Sequence, residues 1–284
     1  MPEGATEQRP KRKRLLTRKR VLITGGALLA VVLGAGALVG YLTFVRPPAN
    51  PPAVACADGR PQGADAVVVA AGASMTQGTL GRDWVGDLRT GEGFGDAEFV
   101  NAGVNGDTSS GLLRRTDSDI VACRPDAVIV LVGTNDVRDE VPVAEYGEHL
   151  AAIVERVRSQ TSARVALMSL PPLGEDLDAE INQRLHAYND TIRRTAEAAG
   201  ADYLPLYEEF AERLADGTPR PAYAFGFPTA YLAASEHYLL GRSWDEVARS
   251  RGLEYFVDHI HLSDRGGEIV ADLAARWLLT QAMA

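Results

Sequence analysis

The chain has 284 residues, 46% of them hydrophobic and 24% charged, a globular composition with room for one ordinary domain and added segments. Its formal charge of −9 is uneven: residues 1–46 hold nine of the 29 basic and two of the 38 acidic side chains, leaving 20 basic against 36 acidic groups, a formal −16, in the remainder. A body that acidic is repelled by phosphate backbones and anionic headgroups, which argues against nucleic acid as a partner.

Residues 1–20 form a basic tail with eight Lys and Arg, including all three lysines, Lys11, Lys13 and Lys19. Residues 21–45 then run 25 positions without a charge, about 37 Å as a helix at ~1.5 Å per residue, enough to cross a ~30 Å hydrocarbon core with some tilt. With the cations in front and Arg46 alone close behind, the amino terminus is expected in the cytoplasm and the rest outside. The preferred reading is a retained signal anchor in the plasma membrane, with an extracytoplasmic domain. The alternative is secretion after cleavage at Ala53-Val54-Ala55. Residues 46–63 read as a Pro-rich linker, with Pro47, Pro48, Pro51 and Pro52 making a stiff spacer that holds the domain off the membrane. The chain has two cysteines, Cys56 and Cys123, each shortly before an expected strand. In an exported domain such a pair predicts a disulfide, with two buried thiols as the alternative.

From residue 64 to 284 apolar strands and amphipathic helices alternate. Residues 66–70 are apolar without alternation and rich in valine, a strand buried on both faces, and they stop at Gly72-Ala73-Ser74. A helix is expected near 82–89, a strand at 98–100 and a turn through Gly106. Next come a helix near 110–120, a strand at 127–132 ending in Gly133-Thr134-Asn135-Asp136, and a helix over 143–160. A strand at 164–169, a helix over 178–199 stopped by Gly200, a fifth strand at 201–206 and a closing helix from 264 complete the pattern. Its regularity predicts a three-layer α/β/α sandwich around a five-stranded parallel sheet. Residues 217–257 break the pattern and hold eight of the nineteen aromatic residues. They read as an insertion with its own core, a wall over the site, or both.

Ser74, on a turn after a buried strand, is a candidate nucleophile, and it needs a base. Val257-Asp258-His259-Ile260-His261 supplies one: a carboxylate three residues before a histidine can hold the imidazole in one tautomer while its far nitrogen faces the serine. The Gly106 backbone N–H and the Asn135 side-chain amide stand at the carboxyl ends of strands, where α/β sheets place their sites, and with the Ser74 N–H they supply three donors to an oxyanion. His259 next to His261 invites a metal reading, but there is no second Asp/His cluster to complete a ligand set. His149, His186 and His237 read as surface or boundary residues on helices.

The ordered blocks Gly72-Ala73-Ser74, Asn101-Ala102-Gly103-Val104-Asn105-Gly106-Asp107, Gly133-Thr134-Asn135-Asp136 and Asp258-His259-Ile260-His261-Leu262 resemble the SGNH hydrolase (GDSL esterase/lipase) superfamily over about residues 64–280. Gly72-Ala73-Ser74 departs from the family's usual Gly-Asp-Ser, leaving the serine in place. The resemblance implies Ser74 as nucleophile and first oxyanion donor, Gly106 and Asn135 as the other donors, and Asp258 with His261 completing the triad. It also implies a flavodoxin-like sheet, no cofactor, and a small-molecule, glycan or lipid ester as substrate. Transfer of the acyl group to an envelope glycan, or a silent binding module, are the alternative functions.

Overall fold

The computed structural model describes residues 11–215 and 217–283; the first half of the basic tail lies outside the described residues. The elements run α1 (Lys11–Gly40), α2 (Pro52–Ala55), β1 (Val67–Gly72), α3 (Ser74–Gln77), α4 (Trp84–Thr90), β2 (Glu98–Gly103), α5 (Ser109–Asp119), β3 (Ala127–Leu131), α6 (Thr134–Arg138), α7 (Val143–Gln160), β4 (Arg164–Met168), α8 (Glu180–Ala199), β5 (Asp202–Leu204), α9 (Leu206–Leu214), α10 (Phe227–Leu240), α11 (Trp244–Arg249) and α12 (Asp264–Trp277). The five strands form one parallel sheet in the order β2-β1-β3-β4-β5. This is the expected three-layer sandwich.

The strands lack alternation because helices cover both faces: Val67, Val68 and Val69 are all buried, as is every residue of β3. At about 1.5–3 kcal/mol per fully buried aliphatic side chain, these positions dominate the core. On α8, Leu185, Tyr188, Ile192 and Ala196 recur at helical spacing and are buried, and Gly200, at φ +62°, ends the helix. Cys56 and Cys123 are disulfide-bonded, with Cα atoms 5.1 Å apart. They tie the segment before β1 to the one before β3, and those strands are neighbours.

Two regions differ from expectation. Arg20–Val45 is long and apolar enough to cross a membrane, yet only its first part stands free of the domain. Val39 and Thr43 are fully buried, and the Tyr231 hydroxyl on α10 donates to the Gly36 carbonyl at 2.7 Å. The proline-rich segment after it is likewise no spacer. The Arg46 carbonyl accepts from Gln77 Nε2 at 2.8 Å, and the Asn50 carbonyl accepts from the Asn101 N–H on the edge strand β2 at 3.1 Å. Asn50 Nδ2 donates to Glu98 and to the Phe99 carbonyl. Prolines stiffen this stretch, but an edge strand with unpaired backbone groups gives it somewhere to dock. The aromatic-rich insertion holds α10 and α11, which share a second hydrophobic cluster with Val39 and Leu80.

Candidate active site

The site lies at the carboxyl ends of β1, β2 and β3, where the chain reverses its direction of travel across the sheet. Gly72 ends β1 and has no room for a side chain: a Cβ there would lie 2.3 Å from the Leu131 carbonyl oxygen. Ser74 opens the single turn α3, which Gly78, at φ +72°, terminates. That turn is pinned from two sides. Trp84 Nε1 donates to the Met75 carbonyl at 3.1 Å and Asn101 Nδ2 to the Thr76 carbonyl at 2.8 Å.

Ser74 Oγ and His261 Nε2 are 2.9 Å apart, and His261 Nδ1 and Asp258 Oδ2 2.8 Å. A carboxylate can only accept, so Nδ1 carries the proton and Nε2 accepts from the serine. Asp258 is fully buried; its other oxygen accepts from the backbone N–H groups of Ile260 and His261. Burial pushes its carboxyl upward, but the His261 ring and these hydrogen bonds outweigh that and hold it below the ordinary carboxylate range. His259 takes a left-handed backbone, φ +73°, and its ring packs edge-on against Tyr223. Burial lowers the pKa of its imidazole.

Ser74, Gly106, Asn135 and His261 line one cavity of about 260 Å³. Gly106 sits at φ +76° in the loop between β2 and α5. Asn135 is in the first turn of α6. Its Nδ2 donates to the Asp107 carbonyl at 2.8 Å and its Oδ1 accepts from Arg138 Nη1 at 2.9 Å, which fixes the amide orientation and leaves one N–H free for a ligand. Phe225, Phe227, Leu80, Ala230, Ile260 and Phe44 give the cavity its apolar wall, so the insertion serves both as a separate core and as a boundary of the site.

Several contributors were not evident from the sequence. Arg138 bonds Asn135 and stacks on Phe225, its guanidinium 4.7 Å from the ring centre. Glu175, with a fully buried side chain, accepts from the backbone N–H groups of Glu254, Tyr255 and Phe256 and pairs with Arg220, fastening the segment that leads to Asp258. Buried Asp136 accepts from the Ser109 N–H and hydroxyl, and that hydroxyl lies 2.9 Å from His149 Nδ1. This cluster locks the start of α5 to α6, holding the Gly106 and Asn135 loops together, and makes His149 more than a surface residue. Burial raises the Asp136 pKa against those hydrogen bonds. Of the other two histidines, His186 packs edge-on against Tyr207 and His237 stacks on Trp244.

Residues 69–269 match the GDSL-like lipase/acylhydrolase family. The chain belongs to this family. The esterase TesA of Pseudomonas aeruginosa is 32% identical over 113 residues, 38% of this chain and 53% of TesA, so the aligned stretch spans about half the length of that relative. The acetylxylan esterase of Geobacillus stearothermophilus is 23% identical over 155 residues, 51% of this chain and 69% of the esterase. The crystal structure of Axe2, an acetylxylan esterase from Geobacillus stearothermophilus, superimposes with a TM-score of 0.54 at 19% identity, covering 75% of this chain and 94% of that one. Another acetyl xylan esterase structure gives 0.53 at 21% identity, covering 74% and 98%. The family match agrees with the SGNH-type resemblance of the sequence blocks, and these structures share the chain's fold.

Proposed function

We propose that this protein is a membrane-anchored, extracytoplasmic esterase that cleaves acyl or acetyl esters through a Ser74–His261–Asp258 triad. The observation that carries the reading is the continuous relay from Ser74 Oγ through His261 to Asp258, at 2.9 and 2.8 Å, opening on a cavity lined by Gly106 and Asn135. A serine hydroxyl is a poor nucleophile until a base takes its proton. His261 Nε2 accepts that proton as Oγ bonds to the ester carbonyl carbon, and the carbonyl oxygen becomes an oxyanion received by the Ser74 and Gly106 N–H groups and the uncommitted N–H of Asn135. Collapse breaks the ester C–O bond, the imidazolium returns the proton to the departing alcohol, and an acyl-serine remains. Water, deprotonated by the same imidazole, then releases the acid and restores the serine. Asp258 holds the imidazole in the tautomer this requires.

The extracytoplasmic placement is supported by the cations ahead of the apolar helix and by the disulfide, a bond of oxidising compartments. The names of the relatives support an ester substrate. The test is a chain-length series of aryl esters on the purified chain, with Ser74→Ala as control. Hydrolysis that Ser74→Ala abolishes is the expected result; undiminished hydrolysis by Ser74→Ala overturns the reading. Repeating the assay in excess acceptor alcohol separates release of free acid from acyl transfer.

A further inference from the structure

The cavity at Ser74 has an unusual wall: Thr43 and Phe44, from the outer end of the apolar amino-terminal helix. The Thr43 carbonyl accepts from Thr79 Oγ1 at 2.8 Å and from Asn105 Nδ2 at 3.0 Å, next to Gly106. The end of the membrane segment is therefore built into the site.

Length then places the domain relative to the bilayer. From Arg20 to Gly34 the helix is bare, and these 15 residues span about 22 Å, short of a ~30 Å hydrocarbon core. The missing stretch has to come from residues beyond Gly34, and there α10 already lies alongside, joined at Gly36 by Tyr231. So α10 cannot stand clear of the membrane while α1 crosses it. Its outward face suits that position: Phe227 is 69% exposed, Leu232 59%, Leu239 47% and Leu240 69%. Leu232 and Leu239, seven residues apart, share one stripe of the helix. Such side chains are costly in water and stabilising at the headgroup–acyl boundary.

We propose that α10 is seated in the outer leaflet beside α1, and that the site draws its ester from that leaflet. The substrate class is a single-chain amphiphile with an uncharged or zwitterionic head, its acyl chain lying along Phe44, Leu80 and Phe227. One small apolar cavity fits one chain, and the acidic body disfavours an anionic surface. This rests on the esterase reading above and adds to it where the substrate resides.

The test uses the full chain reconstituted in phosphatidylcholine vesicles, with two substrates: 4-nitrophenyl acetate in the water and a monoacylglycerol in the bilayer. Leu232→Asp/Leu239→Asp is expected to keep the first rate within about twofold and to lose the second by about tenfold or more. Because Cys56 and Cys123 are paired, a fluorophore on Leu232→Cys has a single attachment point. Its emission should shift to the blue on reconstitution and be quenched by bromine-labelled acyl chains, whereas the same label on Ser159→Cys, in α7 packed against α5 and α8, should not respond. A label at Leu232 that stays in water overturns the proposal, whatever the double variant does. So does an unchanged ratio of the two rates in a variant still active on 4-nitrophenyl acetate. If instead Ser74→Ala keeps wild-type activity on 4-nitrophenyl acetate, the esterase reading fails, while the Leu232 label still reports independently on the membrane seat.

Discussion

The Ser74 hydroxyl and the His261 imidazole, 187 residues apart in the chain, meet at 2.9 Å. Behind the ring, Asp258 is held below its ordinary range, so the carboxylate is ionised from the ordinary carboxylate range upward. Activity should therefore rise with pH along a one-proton limb, without a second acidic limb from Asp258. Asp258→Asn, whose amide would favour the wrong tautomer, should lower kcat by about 10³–10⁴-fold. A pH–rate profile of wild type and variant checks both; a two-proton acid limb in the wild type would contradict the assignment. The same depressed pKa has a stability consequence. Its contribution is present above the unfolded value of about 3.9 and lost as pH falls through the folded one, which urea melts between pH 5 and 3 would follow.

Arg138 acts on the chemistry through Asn135, by holding its Oδ1 while Asp107 holds one of its N–H groups. Asn135→Ala should lower kcat by about 10²-fold or more with little change in KM, the mark of an interaction made only in the transition state. Arg138→Ala should cost about tenfold by releasing the amide. The two losses should not add, because the arginine has nothing left to orient once the asparagine is gone. Additive losses in the double variant would mean that Arg138 touches the substrate itself.

The sheet and the meeting of Ser74, His261 and Asp258 were legible because both are written in local patterns: unbroken apolar runs that only buried parallel strands tolerate, and Asp258 three residues before His261 on one turn. Helix 143–160 was read to its ends. The short α6 was not, since five residues after Gly133 carry no periodicity, and with it went the role of Arg138. Glu175 and the Asp136–Ser109–His149 cluster exist only through contacts between distant segments, which spacing cannot disclose. The proline-rich segment misled for the opposite reason. Its composition reports stiffness correctly but says nothing of the β2 edge that receives Asn50.

The disulfide closes a loop of 67 residues, worth about 4 kcal/mol in the chain-entropy account of such links. Cys56→Ser/Cys123→Ser should unfold at lower urea by an equivalent amount, and the wild type in reductant should match it. Because the bridge lies at the amino ends of β1 and β3, opposite the site, activity per folded molecule should change little.

Glu175 makes the sharpest stability prediction, because its buried carboxylate collects three backbone N–H groups from the segment entering Asp258. Glu175→Ala orphans those donors and should cost about 2–4 kcal/mol, with kcat falling as the Asp258–His261 turn loosens. Glu175→Gln keeps an acceptor oxygen and should be far milder, with a pH dependence that identifies the group. Burial raises the Glu175 pKa despite the N–H bonds and Arg220. The stability it contributes is thus full below the unfolded value of about 4.3 and declines as pH rises through the folded one. The glutamine variant, which does not titrate, should trail wild type by more at pH 4 than at pH 7. Urea midpoints at the two pH values decide the matter: a gap that widens towards pH 7 would mean that the ionised carboxylate is the better anchor.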